Sequence, residues 1–213
     1  MKEIWDYKGF KSCLIFMLLL ATNGLIGCND FKRQNPTEIA EKSTFKAKAD
    51  RAFLYCKKNK LDTNYVILVN MQIHSGKDRL VVWDFKGDSV FLKGLCSHGS
   101  CNGKTGPGYS YEKAIFSNKK GSYCSSFGKY KIGMRSYSSW GINVHYKLHG
   151  LQASNSNAFK RIVVLHSYDG VPNSPVYPEH VMNSWGCPMV SNELMTLLDA
   201  HLKNHKNTLL WIY

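Results

Sequence analysis

Apolar and polar positions fall into three regimes along the chain. From Cys13 to Ile26 the run "CLIFMLLLATNGLI" is almost unbroken. It falls short of the roughly 20 residues that carry a helix across a bilayer. From Thr37 to about residue 58, Ile39, Phe45, Ala49, Phe53 and Leu54 recur behind Thr37 and Glu38, which predicts an amphipathic helix. Beyond residue 60 the pattern changes to β-branched and aromatic runs, "NYVILVNM", "RLVVWDF" and "SVFLKGL", divided by the turn chemistry of "HSGKD" and "KGD". Further strands are predicted over 127–132, 142–149 and 160–166, and in the closing "TLLWIY". Residues 94–122, rich in Gly, Ser and Asn, read as a long surface loop, and loops of that length are usually functional. The proline-bearing segment 167–188 has no regular period, and Ser191 with Glu193 then opens a capped helix. These elements predict a mainly β domain of α+β type, mostly antiparallel, with one helix at its start and one near its end.

The N-terminal regime belongs outside that domain. Lys2, Lys8 and Lys11 precede the apolar run, as in an export signal. The run ends in "LIGC", the form of a bacterial lipobox, in which Cys28 is lipidated and becomes the first residue after cleavage. Residues 1–27 are thus expected to be a lipoprotein signal peptide, 28–36 a lipidated tether and 37–213 the folded domain. The expected location is the cell envelope, anchored to a membrane through Cys28, since more than one acyl chain gives stable anchoring.

Charge changes the picture less than its size suggests. The net charge is +13, and removal of residues 1–27 leaves +12. Such a surface attracts polyanions. However, the basic residues are scattered and no aromatic-interleaved nucleic-acid module is present, so lipid head groups and cell wall are the expected polyanions rather than nucleic acid. The protein is expected to be a monomer.

Seven cysteines in an exported chain call for an accounting. Cys13 leaves with the signal and Cys28 carries lipid. Cys187 stands in "SWGCP", behind Gly186, whose freedom permits a sharp turn. A thiol needs a base or a nearby cation to become a nucleophile. His166 ends the apolar strand "RIVVLH", so it is the candidate base. Cys56, Cys96, Cys101 and Cys124 remain, an even number that permits two disulfides with the pairing left open.

Several motifs in order extend this picture. His166, a loop, and then Ser184-Trp185-Gly186-Cys187 resemble the core of the L,D-transpeptidase (YkuD-like) catalytic domain, and the proline after Cys187 resembles a murein L,D-transpeptidase subfamily. "SHGSCNG", "FSNKKGSYCSSFGKY" and "HGLQASNSNAFKRIVVLHSY" extend the resemblance over roughly residues 50–213. It implies an antiparallel β-sandwich or barrel and a two-step acyl transfer on peptidoglycan stem peptides, without metal or cofactor. Cys187 would attack the donor carbonyl and His166 would take its proton. The backbone of Gly186 and Cys187 would hold the oxyanion, with Ser184 and Ser167 in support. His98, Ser125, Ser126 and Trp185 would line the substrate groove. Three positions depart from the family pattern: Trp185 replaces a His, Met189 an Arg and Ser167 a Gly.

Other constellations carry less. "GSCNG" mimics a nucleophile elbow, but the following "KTGPG" cannot begin the helix that an elbow requires. Cys96, His98, Cys101 and Cys124 have passable zinc spacing, which an oxidising compartment turns toward disulfides. His145 and His149 read as sheet residues, and His201 and His205 as solvated helix residues. The alternatives to transpeptidation are hydrolysis of the same peptides and a non-catalytic lipoprotein that binds peptidoglycan.

Overall fold

The run "YVILV" contains no charged residue and no polar alternation, and its place in the fold explains why. The computed structural model describes residues 36–106, 108–109 and 113–213, with side chains from Thr44 onward. The signal segment, Cys28 and most of the tether lie outside the described residues. Strand β1 (Tyr65–Val69) is central to an eight-stranded sheet and covered on both faces. One face meets helix α1 (Pro36–Asn59). The other meets a core shared with helix α2 (Asn192–Asn204). A strand covered on both sides reads as a continuous apolar run.

The remaining strands are β2 (Leu80–Asp84), β3 (Ser89–Gly94), β4 (Gly128–Tyr137), β5 (Val144–Gly150), β6 (Val164–Ser167), β7 (Met189–Val190) and β8 (Leu209–Ile212). Their order across the sheet is β3-β2-β1-β8-β4-β5-β6-β7. The β1–β8 and β6–β7 pairs are parallel and the others antiparallel. The chain leaving β3 crosses to the opposite edge, where the Ser97 N–H donates to the Met189 carbonyl at 2.8 Å. That contact brings the two edges toward closure and makes the sheet a near-barrel.

Helix α1 buries Phe45, Ala49, Ala52 and Cys56, a stripe whose two alanines let the helix lie close to the sheet. Leu54, expected on that stripe, is 68% exposed, because the stripe runs through 52 and 56 instead. Helix α2 is capped by Ser191, whose Oγ accepts from the Leu194 N–H at 3.2 Å. It buries Leu194, Met195, Leu198 and Leu202 in the inner core. The predicted strand 160–166 begins only at Val164. Residues 157–163 form turns, with the Val163 N–H donating to the Ala158 carbonyl at 3.0 Å and Ile162 at φ +59°.

Behind the 95–100 crossing sits a buried cation. Arg79 is fully buried and donates from Nε to the Cys96 carbonyl at 2.7 Å, from Nη1 to the Ile73 carbonyl at 3.2 Å and from Nη2 to His98 Nδ1 at 2.9 Å. Burial lowers the Arg79 pKa to about 10, and burial together with the Arg79 charge pushes His98 down to about 3. His98 is therefore neutral and accepts from Arg79. Unfolded, it returns toward the usual value of about 6.5, so the unfolded chain binds the extra proton first. Stability present above about pH 6.5 is thus lost as pH falls toward 3. Denaturant midpoints at pH 7, 5.5 and 4.5 should fall in that order. His98→Gln, which keeps an acceptor for Arg79, should flatten the slope.

Candidate active site

The parallel pairing of β6 with β7 sets the site. His166 stands opposite Met189 and Ser167 opposite Val190, which places Cys187 beside Val164. The Val164 N–H donates to Cys187 Sγ at 3.4 Å, and the thiol faces the Ile162 carbonyl at 3.8 Å. Side chains alternate along a strand, so Val164 and His166 share a face. Cys187, half-buried, and His166, 8% exposed, both line one cavity of about 640 Å³. His166 Nδ1 lies 2.9 Å from the Ser167 carbonyl, an acceptor only, so Nδ1 carries the proton and Nε2 is left as the basic nitrogen.

Electrostatics keep this pair uncharged at rest. Burial lowers the His166 pKa below its usual value, with the neighbouring His145 adding to the effect and the Ser167 carbonyl opposing it. Burial also raises the Cys187 thiol, opposed by the Val164 N–H and the Arg161 guanidinium. A neutral thiol beside a neutral imidazole suits general-base activation rather than a standing thiolate.

The turn carrying Cys187 is held from several sides. Ser184 Oγ donates to the Cys187 carbonyl at 2.6 Å and accepts from the Gly186 N–H at 3.1 Å. Ser97 Oγ also donates to the Cys187 carbonyl, at 3.4 Å, and accepts from the Met189 N–H at 3.1 Å. The Ser184 N–H donates to the His98 carbonyl and the Ser100 N–H to the Ser184 carbonyl, each at 2.8 Å. Gly186 adopts φ +107°, and a Cβ there would lie 2.6 Å from the Cys124 carbonyl oxygen. Both the dihedral and the space require glycine. Because the Gly186 N–H already donates to Ser184, the Cys187 N–H remains as the backbone donor for an oxyanion.

Several expected site residues stand elsewhere. Ser125 and Ser126 are buried supports rather than groove residues. Ser125 Oγ accepts from the Gly99 N–H at 3.0 Å and donates to the Gly186 carbonyl at 3.3 Å, while Ser126 Oγ donates to the Ser117 carbonyl at 2.8 Å. His98, 1% exposed, is turned toward Arg79 and away from the cavity. Ser167 contributes its carbonyl to His166, and its hydroxyl accepts from the Ile142 N–H at 3.1 Å instead. Trp185 does line the cavity. It is 59% exposed, and its Nε1 donates to the Gly103 carbonyl at 3.0 Å.

Among the described residues the cysteines form one bridge, Cys101–Cys124, where the four candidates permit two. That bond removes both from any zinc set. Cys56 lies in the α1 core and Cys96 in the inner core, on opposite sides of the sheet, so they cannot pair. Burial pushes their thiols up to about 12 and about 11.

Arg161 is the residue that carried no sequence signature beyond a basic pair before an apolar run. Its Nη1 donates to the Ser117 carbonyl at 2.8 Å and to Ser126 Oγ at 2.5 Å. Its Nη2 donates to the Cys124 carbonyl at 2.7 Å and to Ser122 Oγ at 3.3 Å. All four acceptors are neutral, and the charge is felt at Cys187. It places a cation near the thiol in a chain that has Met189 where the family pattern has an arginine.

A thiol on the turn that leads into β7 and an imidazole on the neighbouring parallel strand β6, lining one cavity, are the equipment of a cysteine acyl-transfer site. The family model for the L,D-transpeptidase catalytic domain matches residues 37–213, and the chain belongs to that family. No curated protein sequence matches the chain. Similar solved structures include an L,D-transpeptidase from Xylanimonas cellulosilytica, at 16% identity and TM-score 0.39, covering 70% of this chain and 60% of that one. A mutant L,D-transpeptidase from Enterococcus faecium has 12% identity and TM-score 0.42, over 70% and 50%. The helical cell shape determining protein Pgp2 from Campylobacter jejuni has 13% identity and TM-score 0.42, over 70% and 46%. The matched part of this chain thus spans about half to three fifths of those structures.

Gly186→Ala should destabilise the protein by about 1–3 kcal/mol, read as a lower denaturant midpoint, and should abolish function at the Cys187 turn. Arg161→Met should slow alkylation of Cys187 by iodoacetamide at pH 8 several-fold, because removing the cation raises the thiol further.

Proposed function

We propose that this chain is a cysteine acyltransferase that performs L,D-transpeptidation on peptidoglycan stem peptides. The observation that carries the reading is the placement of Cys187 and His166 on one cavity wall, with His166 Nδ1 tied to the Ser167 carbonyl. His166 Nε2 takes the thiol proton as Cys187 Sγ bonds to the donor carbonyl carbon. The resulting oxyanion accepts from the Cys187 N–H, and the nearby Arg161 charge stabilises it. Collapse breaks the peptide bond, and the departing D-amino acid's nitrogen takes the proton back from His166. The thioester is then attacked by an acceptor amine, whose proton passes to His166 and returns to the sulfur. Water in place of the amine would make the same site a carboxypeptidase or endopeptidase.

The proposed setting is the cell envelope, with the domain held to a membrane by lipid on Cys28. The export signal and the lipobox form of "LIGC" support this.

The test is release of the terminal D-amino acid from a disaccharide tetrapeptide, with and without an acceptor peptide. The wild type should release it and form cross-linked dimers, whereas Cys187→Ala and His166→Ala should each lose at least about 100-fold. Trimmed peptides without dimers would indicate hydrolysis. No release, with peptidoglycan binding retained in Cys187→Ala, would indicate a binding lipoprotein. Because burial lowers His166, its neutral form persists below its usual value. kcat/KM should therefore fall only as pH drops below about 6.5.

A further inference from the structure

One histidine of the cleft takes no part in moving the thiol proton. His145 and His166 are direct partners across the antiparallel β5–β6 pair, so their side chains leave the sheet on one face with Cβ atoms about 5 Å apart. Both line the cavity that holds Cys187. Strand β6 runs between β5 and β7, which puts the turn bearing the thiol on one flank of His166 and His145 on the other. One His145 ring nitrogen hydrogen-bonds to the Tyr137 carbonyl. A carbonyl only accepts, so that nitrogen carries the proton and the other is left basic. The Ser167 carbonyl sets up His166 in the same way.

The surroundings favour an uncharged His145. Burial lowers its pKa, Lys147 two residues along β5 adds to that, and the Tyr137 carbonyl opposes both. Of the titratable groups around it, Tyr137 comes from β4, His166 from β6 and Tyr168 from just past β6. The cations of the cavity are Lys120, Lys160 and Arg161, and none of its described lining residues is Asp or Glu. At the His145 end the lining is aromatic, with the Trp140 and Tyr168 rings 5.5 Å apart. Aromatic faces attract ammonium groups.

Transfer to an amine involves one proton more than His166 returns to the sulfur. A primary amine is mostly an ammonium ion at neutral pH. Converting that ion and a thioester into an amide and a thiol removes two protons from nitrogen. One goes through His166 to Sγ. The other has to leave first, because an ammonium has no lone pair with which to attack. We infer that His145 is a second base, which takes this first proton from the acceptor ammonium at the aromatic end of the cleft and passes it to solvent. The neutral amine then attacks the thioester carbon, the C–S bond breaks, and the second proton reaches Sγ through His166. The inference rests on the acyl-transfer reading of Cys187 and assigns its acceptor step. Hydrolysis, whose nucleophile arrives neutral, does not need His145.

The experiment separates the two steps in the purified protein, with nitrophenyl acetate as acyl donor, glycinamide as acceptor and Cys187→Ala as background. Nitrophenolate release reads acylation, and acetylglycinamide reads transfer. In His145→Gln, which keeps an N–H for the Tyr137 carbonyl, acylation should stay within about twofold while kcat/KM for glycinamide at pH 7 falls at least about tenfold. The gap should close by about pH 9, where an α-amine is neutral without help. With hydroxylamine, which is neutral at pH 7, variant and wild type should agree. Transfer that is unchanged in His145→Gln, or that falls together with acylation and equally at both pH values, overturns the inference. Failure of the acyl-transfer reading on peptidoglycan shows separately, as tetrapeptides that release no D-amino acid while the ester still acylates Cys187 and still reports on His145. A Cys187 that takes no acetyl group from the ester overturns both.

Discussion

The close approach of Gly186 to the Cys124 carbonyl is the constraint on which the rest of the site depends. A side chain on residue 186 would sit 2.6 Å from that oxygen, so the turn can press against the disulfide-bridged loop only as glycine. The same carbonyl accepts from Arg161, which brings the cation to the turn. Ser125 ties the Gly186 carbonyl from the same loop, and the Cys101–Cys124 bond closes that loop on itself. One short contact thus joins a loop, a turn and a strand, and Cys187 stands where the three meet.

The electrostatic design separates the charges from the reacting pair. Cys187 and His166 are both held uncharged by burial, so the proton moves only when the sulfur attacks. Positive charge is supplied from outside the pair. Arg161 binds four neutral acceptors and meets no carboxylate in any of these four contacts, so these partners leave its charge uncompensated at the thiol. Arg79 behaves similarly beneath the 95–100 crossing, where its partners are two carbonyls and the neutral His98. An uncompensated buried cation costs stability, yet it orients backbone carbonyls on which the turn leans.

Much of the fold could be read from residue patterns because most elements bury a face. The two-face burial of β1 and the Ser191 cap of α2 leave clear marks in the sequence. Strand β7 leaves none, since its two residues are too few to show a period. The apolar run before His166 suggested a longer strand. The Arg161 side chain instead reaches carbonyls some forty residues away from a turn in which Ile162 stands at positive φ. Within the site, the sequence pattern singled out Cys187, His166 and Gly186. Ser125, Ser126 and His98 differ from groove residues only in what they face, and polar loop residues look alike in sequence whether they face a ligand or their own backbone. The pairing of Cys101 with Cys124 depended on which loops meet in space, which spacing does not encode.

The most direct test of the central claim is the intact mass of the protein after incubation with a carbapenem, compared with Cys187→Ala. Iodoacetamide labelling establishes in parallel that the thiol is free. The account predicts one covalent adduct on the wild type and none on Cys187→Ala. A wild-type protein that is alkylated at Cys187 yet forms no adduct, or an equal adduct on Cys187→Ala, would contradict it.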